Sequence, residues 1–146
     1  MQSVITENTK ETQRLGNELA KELTRKRSGK ALVVALEGEL GAGKTTFIKG
    51  FTKALGIREK VLSPTFVLIH KHKTINGDFE NLYHIDAYRL DSEKDLSKLD
   101  IKDIFANPKN IVLIEWADRV KKIIPKNATW IRFDHLEKNK RRITIE

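Results

Sequence analysis

The segment GELGAGKTTF, residues 38–47, constrains the fold of this chain more than any other stretch. It follows ALVVAL (31–36), a short apolar run typical of a strand buried on both faces. After the glycines, from Lys44 onwards, apolar residues recur with helical spacing: Phe47, Ile48, Phe51, Ala54 and Leu55. A buried strand, a glycine-rich loop and an amphipathic helix in this order predict one unit of an α/β sheet.

The spacing within this loop matches the phosphate-binding pattern G-x-x-x-x-G-K-[ST]. The glycines allow backbone N–H groups to converge on phosphate oxygens, and the following helix directs its positive dipole end to the same place. Lys44 can reach the β and γ phosphates, Thr45 can offer its hydroxyl to Mg²⁺, and Thr46 can reach the α phosphate. An accidental glycine turn is the alternative. The predicted nucleotide-binding residues are Gly38, Glu39, Leu40, Gly41, Ala42, Gly43, Lys44, Thr45 and Thr46.

Two carboxylates follow apolar strand-like runs and are candidates for the chemistry of phosphate hydrolysis. Asp86 ends LYHID and Glu115 ends the apolar run IVLI. The carboxyl ends of strands in an α/β sheet face the ligand crevice, so these acids can act on Mg²⁺ or on an attacking water. Surface ion pairs are the alternative for each acid, and the sequence leaves open which of the two contacts the metal.

Three further residues are candidates with open alternatives. Thr65, in SPTF (63–66), lies where a switch loop can sense the γ phosphate or its Mg²⁺, unless this is an ordinary proline turn. Arg89 could neutralise phosphate charge or pair with a carboxylate. Trp116 could stack beside the nucleotide or on a partner, or pack in the core.

The remaining pattern predicts a single domain, residues 1–146, with a P-loop NTPase-like α/β fold. Its mostly parallel central sheet is flanked by helices and carries a β-hairpin insertion. The predicted elements are a helix over 6–26 capped by Thr6 or Asn8, strands over 65–72 and 80–86 joined at Asn76-Gly77, two short helices within 91–105, a strand over 111–116, a short helix over 118–123, and closing strands over 129–134 and 141–146.

Composition limits the class of protein and the kind of partner. The chain has 146 residues, no cysteine and a formal net charge of +8. No apolar run approaches the ~20 residues of a membrane span and no secretory signal is visible, so we expect a cytoplasmic location and no membrane. The positive charge favours a nucleotide, RNA or an acidic protein surface, although a solvated lysine-rich surface explains it equally well.

Together, the motifs GELGAGKTT, SPTF, HIDAYRL and IEW resemble the TsaE family along nearly the whole chain. The resemblance implies a small ATPase that binds ATP and Mg²⁺. It also implies a role with the TsaD and TsaB proteins in threonylcarbamoyladenosine modification of tRNAs that read codons beginning with adenine. The resemblance further implies that ATP hydrolysis resets the complex between turnovers and that tRNA is reached indirectly through the complex; the sequence leaves open whether the basic surface touches tRNA or only protein.

The resemblance also implies roles by position. Lys44 and Thr45 match the phosphate and Mg²⁺ contacts, and Thr65 matches the switch threonine. Asp86, Glu115 and Trp116 match the second-strand acid, the Mg²⁺ or catalytic acid and its neighbouring tryptophan. Two departures concern residues that flank these motifs: Ala117 stands where relatives often have proline, and His70-Lys71-His72 where a tyrosine is common.

Two other functional classes fit a P-loop. A small-molecule kinase usually needs an arginine-rich lid, but residues 90–110 contain no arginine. An RNA-binding module that merely carries nucleotide would show basic residues interleaved with aromatics, and that pattern is missing. An ATPase therefore remains the favoured hypothesis.

Overall fold

Parallel strands form the centre of one mixed sheet in the computed structural model, which describes residues 1–26, 28–39, 42–57, 69–75, 78–88 and 100–146. The strands are β1 (Gln2–Thr6), β2 (Leu32–Gly38), β3 (Ile69–Lys73), β4 (Asn81–Asp86), β5 (Asn110–Glu115), β6 (Thr129–Glu137) and β7 (Lys140–Ile145). The helices are α1 (Thr9–Arg25), α2 (Lys44–Ala54), α3 (Ile101–Ala106) and a 3-10 helix (Ala117–Ile123).

The strand order β1-β7-β6-β2-β5-β4-β3 puts the glycine-loop strand in the middle of the sheet. Strand β2 pairs in parallel with β5 and β6, and β4 pairs in parallel with β5. The antiparallel pairs lie at the two edges, β3 with β4 on one side and β7 with β6 and β1 on the other. The predicted α/β fold with a hairpin insertion is thus confirmed, and the predicted turn at 76–77 lies outside the described residues.

Side chains alternate along the central strands, so the sheet contributes to two separate apolar cores. On one face, Leu36 and Leu113 pack with the apolar sides of α1 and α2. On the other face, Ala35 and Ile114 pack with α3 and the 3-10 helix. Coverage of both faces explains why these strands are continuous apolar runs in the sequence.

Helices α1 and α2 cross at a contact that only glycine allows. A Cβ atom added at Gly50 would lie 1.9 Å from the main-chain oxygen of Gln13, and one added at Gly16 would lie 2.2 Å from that of Phe47. The two backbones therefore touch directly. Asn8 starts α1 as predicted, since its side-chain oxygen accepts a 3.0 Å hydrogen bond from the Glu11 N–H group.

Three details differ from the sequence-based expectations. Residues 2–6 form edge strand β1, whereas the predicted helix began at residue 6; Thr6 instead ends β1, and its hydroxyl hydrogen-bonds that of Thr12. This strand is short and mostly exposed, so it lacks the apolar run that marks a buried strand. The helix predicted over 118–123 is a 3-10 helix interrupted at Val120.

None of the helices in the described ranges has the length and apolar character that crossing a bilayer requires.

Candidate nucleotide-binding site

The start of α2 forms one wall of a cavity of about 370 Å³. Gly43 precedes the helix with φ of 100°, a left-handed conformation that residues with a Cβ rarely adopt. Because glycine offers no capping side chain, the first N–H groups of α2 need partners from elsewhere. The cavity is lined by Ala42, Gly43, Lys44, Thr45, Thr46, Asp86, Tyr88, Glu115, Trp116 and Arg141.

Lys44 brings a buried positive charge to this cavity. Its side chain is only 6% exposed, its ammonium donates a hydrogen bond to the carbonyl of Gly38, and Nζ lies 3.5 Å from the ring centroid of Trp116. Burial lowers the pKa of Lys44, while the carboxylates of Glu115, Asp118 and Asp86 oppose that shift. A buried ammonium held by a carbonyl and an aromatic face is suited to an incoming anion.

The ends of β4 and β5 bring the two predicted acids together. Asp86 and Glu115 are register partners on these neighbouring parallel strands. Asp86 is four residues after Leu82 on β4, and Glu115 is two residues after Leu113 on β5. Both leucines belong to the core beneath α1 and α2. Their side chains therefore belong to the sheet face on which α2 and Lys44 lie.

His84 holds Glu115 in place. Its Nε2 atom lies 2.7 Å from Oε2 of Glu115, and the two side chains share a hydrogen bond. They are 1% and 4% exposed, so this pair is almost closed to solvent. The other ring nitrogen, Nδ1, has no hydrogen-bond partner among the described residues. His84 was not among the predicted site residues; the period-two alternation of β4 is the signal that would have put it on the same face as Asp86.

Asp86 lies in a more open position at the end of β4. Its Oδ1 atom accepts a 2.9 Å hydrogen bond from the N–H group of Tyr88. Burial raises the pKa of Asp86 and Glu115 adds to the rise, whereas the Tyr88 hydrogen bond, His84 and Lys44 act against it. A raised pKa means that this carboxyl holds its proton more strongly than a free one, and a cation bound beside it would favour the ionised form.

Trp116 adopts a backbone conformation that is uncommon for a large residue. Its φ and ψ of 58° and 38° lie in the left-handed region, directly after Glu115. The ring lies 4.9 Å from that of Tyr88, and the Arg119 guanidinium lies 5.1 Å from the Tyr88 ring. Strain of this kind persists where surrounding contacts enforce it and is common at functional sites. Trp116 lines the cavity and also packs against the second apolar core.

The donor set fits Mg²⁺ that arrives with phosphate. Among the described residues no group of three or more histidine, aspartate or glutamate side chains could hold a metal by itself. Mg²⁺ is usually held by one or two carboxylates together with substrate phosphates and water. Asp86, Glu115 and the hydroxyl of Thr45 meet that description.

The structure brings most of the predicted site residues together. Eight of them line the cavity: Ala42, Gly43, Lys44, Thr45, Thr46, Asp86, Glu115 and Trp116. Gly38 and Glu39 border a neighbouring cleft on the other side of Trp116. Leu40, Gly41, Thr65 and Arg89 lie outside the described residues. The ligand and metal roles of all these residues stay predictions. Arg141 was not predicted, and no local sequence signal marks it.

Comparison with known protein families gives a match over nearly the whole chain. Residues 6–143 match the family described as threonylcarbamoyl adenosine biosynthesis protein TsaE. The chain is similar to the tRNA threonylcarbamoyladenosine biosynthesis protein TsaE of Haemophilus influenzae, with 36% identity over 124 residues, 85% of this chain and 76% of that protein. It is 39% identical to the protein of the same name from Bacillus subtilis over 113 residues, 77% of this chain and 68% of the relative.

A solved structure has the same fold. The crystal structure of Bacillus subtilis YdiB superposes with a TM-score of 0.77 and 30% sequence identity. The match covers 99% of this chain and 83% of that one. The strand order and the position of the glycine loop described above therefore belong to a known architecture.

Proposed function

This chain belongs to the TsaE family of threonylcarbamoyl adenosine biosynthesis proteins, and we propose that it serves the tRNA modification as an Mg²⁺-dependent ATPase. The observation that carries the proposal is the convergence of Lys44, Glu115 and Asp86 on the cavity at the start of α2. One buried cation and two strand-end carboxylates at a glycine loop are the parts that phosphoryl transfer from ATP to water requires.

Binding of ATP would use the backbone first and Lys44 second. The N–H groups at the start of α2 and its dipole attract the phosphates. The Lys44 ammonium leaves the carbonyl of Gly38 and the face of Trp116 for the β and γ phosphates, an exchange of weak partners for a charged one. The positive charge of Lys44, which burial disfavours in the free protein, is then stabilised by the ligand.

Hydrolysis would use Asp86 and Glu115, which lie in different environments. Asp86, Glu115 and Thr45 are the residues that would hold Mg²⁺, which supplies charge neutralisation on the phosphates when bound. Glu115 is fixed by His84 and can orient the attacking water through its second carboxylate oxygen. Asp86 is more accessible than Glu115, and burial raises the pKa of Asp86, so a bound cation would favour its ionised form.

The first test is Lys44→Ala measured by titration calorimetry with Mg-ATP. We expect a folded protein whose ATP affinity falls by roughly 100-fold or more, because the variant loses a charge-assisted contact to phosphate in a water-poor site. Lys49→Ala is the matched control, since Lys49 is exposed on the same helix. Near-wild-type ATP binding by folded Lys44→Ala protein would overturn the proposal.

We further propose that the TsaD and TsaB proteins stimulate this ATPase and that its turnover resets their complex. The support is the family membership, together with the general finding that an arginine added by a partner can accelerate phosphoryl transfer by roughly 10³- to 10⁵-fold. With a net charge of +8 the chain should dock on acidic protein, so stimulation should weaken as salt rises from ~0.05 to ~0.5 M. The measurement is phosphate release with and without both proteins. Fast turnover by the isolated chain, unchanged by them, would contradict this.

A further inference from the structure

Arg141 enters the candidate nucleotide cavity from a distant part of the sequence. It lies near the start of β7, whose antiparallel pairing with β6 carries it toward the glycine-loop strand β2. A Cβ atom built on Gly43 would lie 3.2 Å from Nε and 3.4 Å from Cδ of Arg141. The arginine side chain therefore packs directly against the residue that begins the phosphate-binding helix.

The turn between β6 and β7 anchors one end of the guanidinium. Nη1 donates hydrogen bonds to the carbonyl of Lys138 at 2.9 Å and to that of Lys140 at 3.2 Å. The Lys138 carbonyl is also 2.7 Å from Nε2 of His135, and Lys138 has a positive φ of 46°. These contacts hold Arg141 in one orientation, which reduces the entropy that it would lose on binding a ligand.

The charge of Arg141 lacks a counter-ion in the part of the chain that the structure describes. The Lys and Arg ion pairs among the described residues involve other cations: Lys109, Arg132 and Lys140. Carbonyl oxygens occupy Nη1 only, whereas a guanidinium has five N–H donors. An anchored guanidinium that lines a cavity beside a helix N-terminus is suited to an anion placed at that N-terminus.

We propose that Arg141 is a second cationic ligand of the nucleotide, binding the phosphates that ATP and ADP share. This inference rests on the proposed function. We assign the contact to the shared phosphates because of the position of Arg141. It packs on Gly43, at the helix start where the N–H groups would hold the phosphate chain. A contact made equally with substrate and product strengthens binding and leaves the chemical step unchanged.

The experiment compares Arg141→Gln, Arg141→Lys and Arg142→Gln by titration calorimetry with Mg-ATP and Mg-ADP. Arg142 is the matched control because it is the next residue on β7 and is exposed. We expect Arg141→Gln to lose roughly 10- to 100-fold in affinity for both nucleotides, the size of one charged hydrogen-bonded contact. Arg141→Lys should recover part of the loss, and Arg142→Gln should stay within about twofold of wild type.

Ionic strength separates a phosphate contact from stacking on the base. The affinity difference between wild type and Arg141→Gln should shrink as salt rises from ~0.05 to ~0.5 M, because the contact is between charges. A loss that is independent of salt would show that Arg141 recognises the base or ribose and would overturn the assignment. Thermal unfolding of each variant shows whether the β6–β7 turn is intact; a loss of affinity that follows a loss of folded protein, and that Arg141→Lys does not relieve, also overturns it.

Failure of this inference is distinguishable from failure of the proposed function. Wild-type protein that does not bind Mg-ATP would overturn both. Wild-type protein that binds Mg-ATP normally, together with Arg141→Gln protein that binds it equally well, would overturn the role of Arg141 alone. Unequal losses for ATP and ADP would place the contact at the γ phosphate and contradict the assignment to the shared phosphates.

Discussion

The crossing of α1 and α2 and the cluster at the ends of β4 and β5 lie against the same sheet face, yet they are built in opposite ways. At the crossing, Gly16 and Gly50 let two backbones touch, with no space for a single added methyl group. At the strand ends, a buried ammonium and two carboxylates line an open cavity of about 370 Å³, and a buried histidine hydrogen-bonds one of the carboxylates. The helix crossing is packed without empty space, whereas the strand-end cluster contains a cavity and buried charged groups.

The difference separates stability from function within one core. Close apolar packing stabilises the folded chain, whereas buried charges with partial partners destabilise it until a ligand completes them. The pKa shifts of Lys44 and Asp86 have this origin, since burial is the leading cause of each. Substitutions at the crossing should therefore change the free energy of unfolding, and substitutions at the strand ends should change activity.

The largest expected effect is on stability and comes from Gly50→Ala. The new methyl group would meet the Gln13 oxygen, so the helices must separate, and we expect a loss of about 3 kcal/mol in the free energy of unfolding. This outweighs the gain of roughly 1 kcal/mol from the better helix propensity of alanine. Denaturant unfolding measures it, with Gly29→Ala as control because nothing lies within 4 Å of a Cβ there. Equal stability of the two variants would mean that the crossing is not tightly packed.

The next effect is on activity and comes from Glu115→Gln. The amide can still hydrogen-bond His84, so we expect the free energy of unfolding to change by less than about 1 kcal/mol. Turnover should fall by roughly 10²- to 10³-fold because the charge that acts on water or metal is gone. Steady-state phosphate release checks this, with Glu22→Gln on the exposed side of α1 as control. A wild-type rate for Glu115→Gln would exclude Glu115 from the chemistry.

Asp86→Asn should raise the stability of the unliganded protein and weaken its Mg²⁺-dependent turnover. A raised folded-state pKa means that the free protein loses stability as pH rises through that pKa, and asparagine removes this loss. We therefore expect unliganded Asp86→Asn protein to be more stable than wild type at neutral pH and equally stable at low pH, while it needs more Mg²⁺ for turnover. Thermal unfolding against pH, paired with Mg²⁺ titration of activity, tests both halves. Lower stability at neutral pH would show that the carboxylate is already well satisfied.

The smallest effect concerns Trp116. ATP should withdraw Lys44 from the indole face of Trp116 and so change the tryptophan fluorescence of the protein. Trp116→Phe should abolish this change. Trp130→Phe should not, because Trp130 packs against the core on the other sheet face. The ATP affinity of Trp116→Phe should differ by less than about fivefold, the size of one cation–π contact. The reverse pattern of fluorescence would place Trp116 away from the nucleotide.

Local patterns were enough to predict the central elements and most of the cavity. The apolar run before Gly38, the glycine spacing and the helical period after Lys44 each act within a few residues, and the structure confirms the strand and the helix that they predict. The positions of Asp86 and Glu115 follow from a rule about strand ends that needs no knowledge of strand order. The exposed edge strand β1 was missed because edge strands need no apolar run.

The sequence alone therefore determined that this chain forms an α/β sheet with a glycine-rich loop before its second helix and acids at its strand ends. Only the tertiary structure decided which distant residues meet at the site: His84 hydrogen-bonds Glu115, and Arg141 lines the cavity beside Gly43. The physical reason is that helix and strand periods, turns and caps are local, whereas strand order and register are chosen by packing of the whole sheet. A one-residue shift of β7 would turn Arg141 away and bring Arg142 to its place, and nothing in the local pattern of KRRITI specifies which occurs.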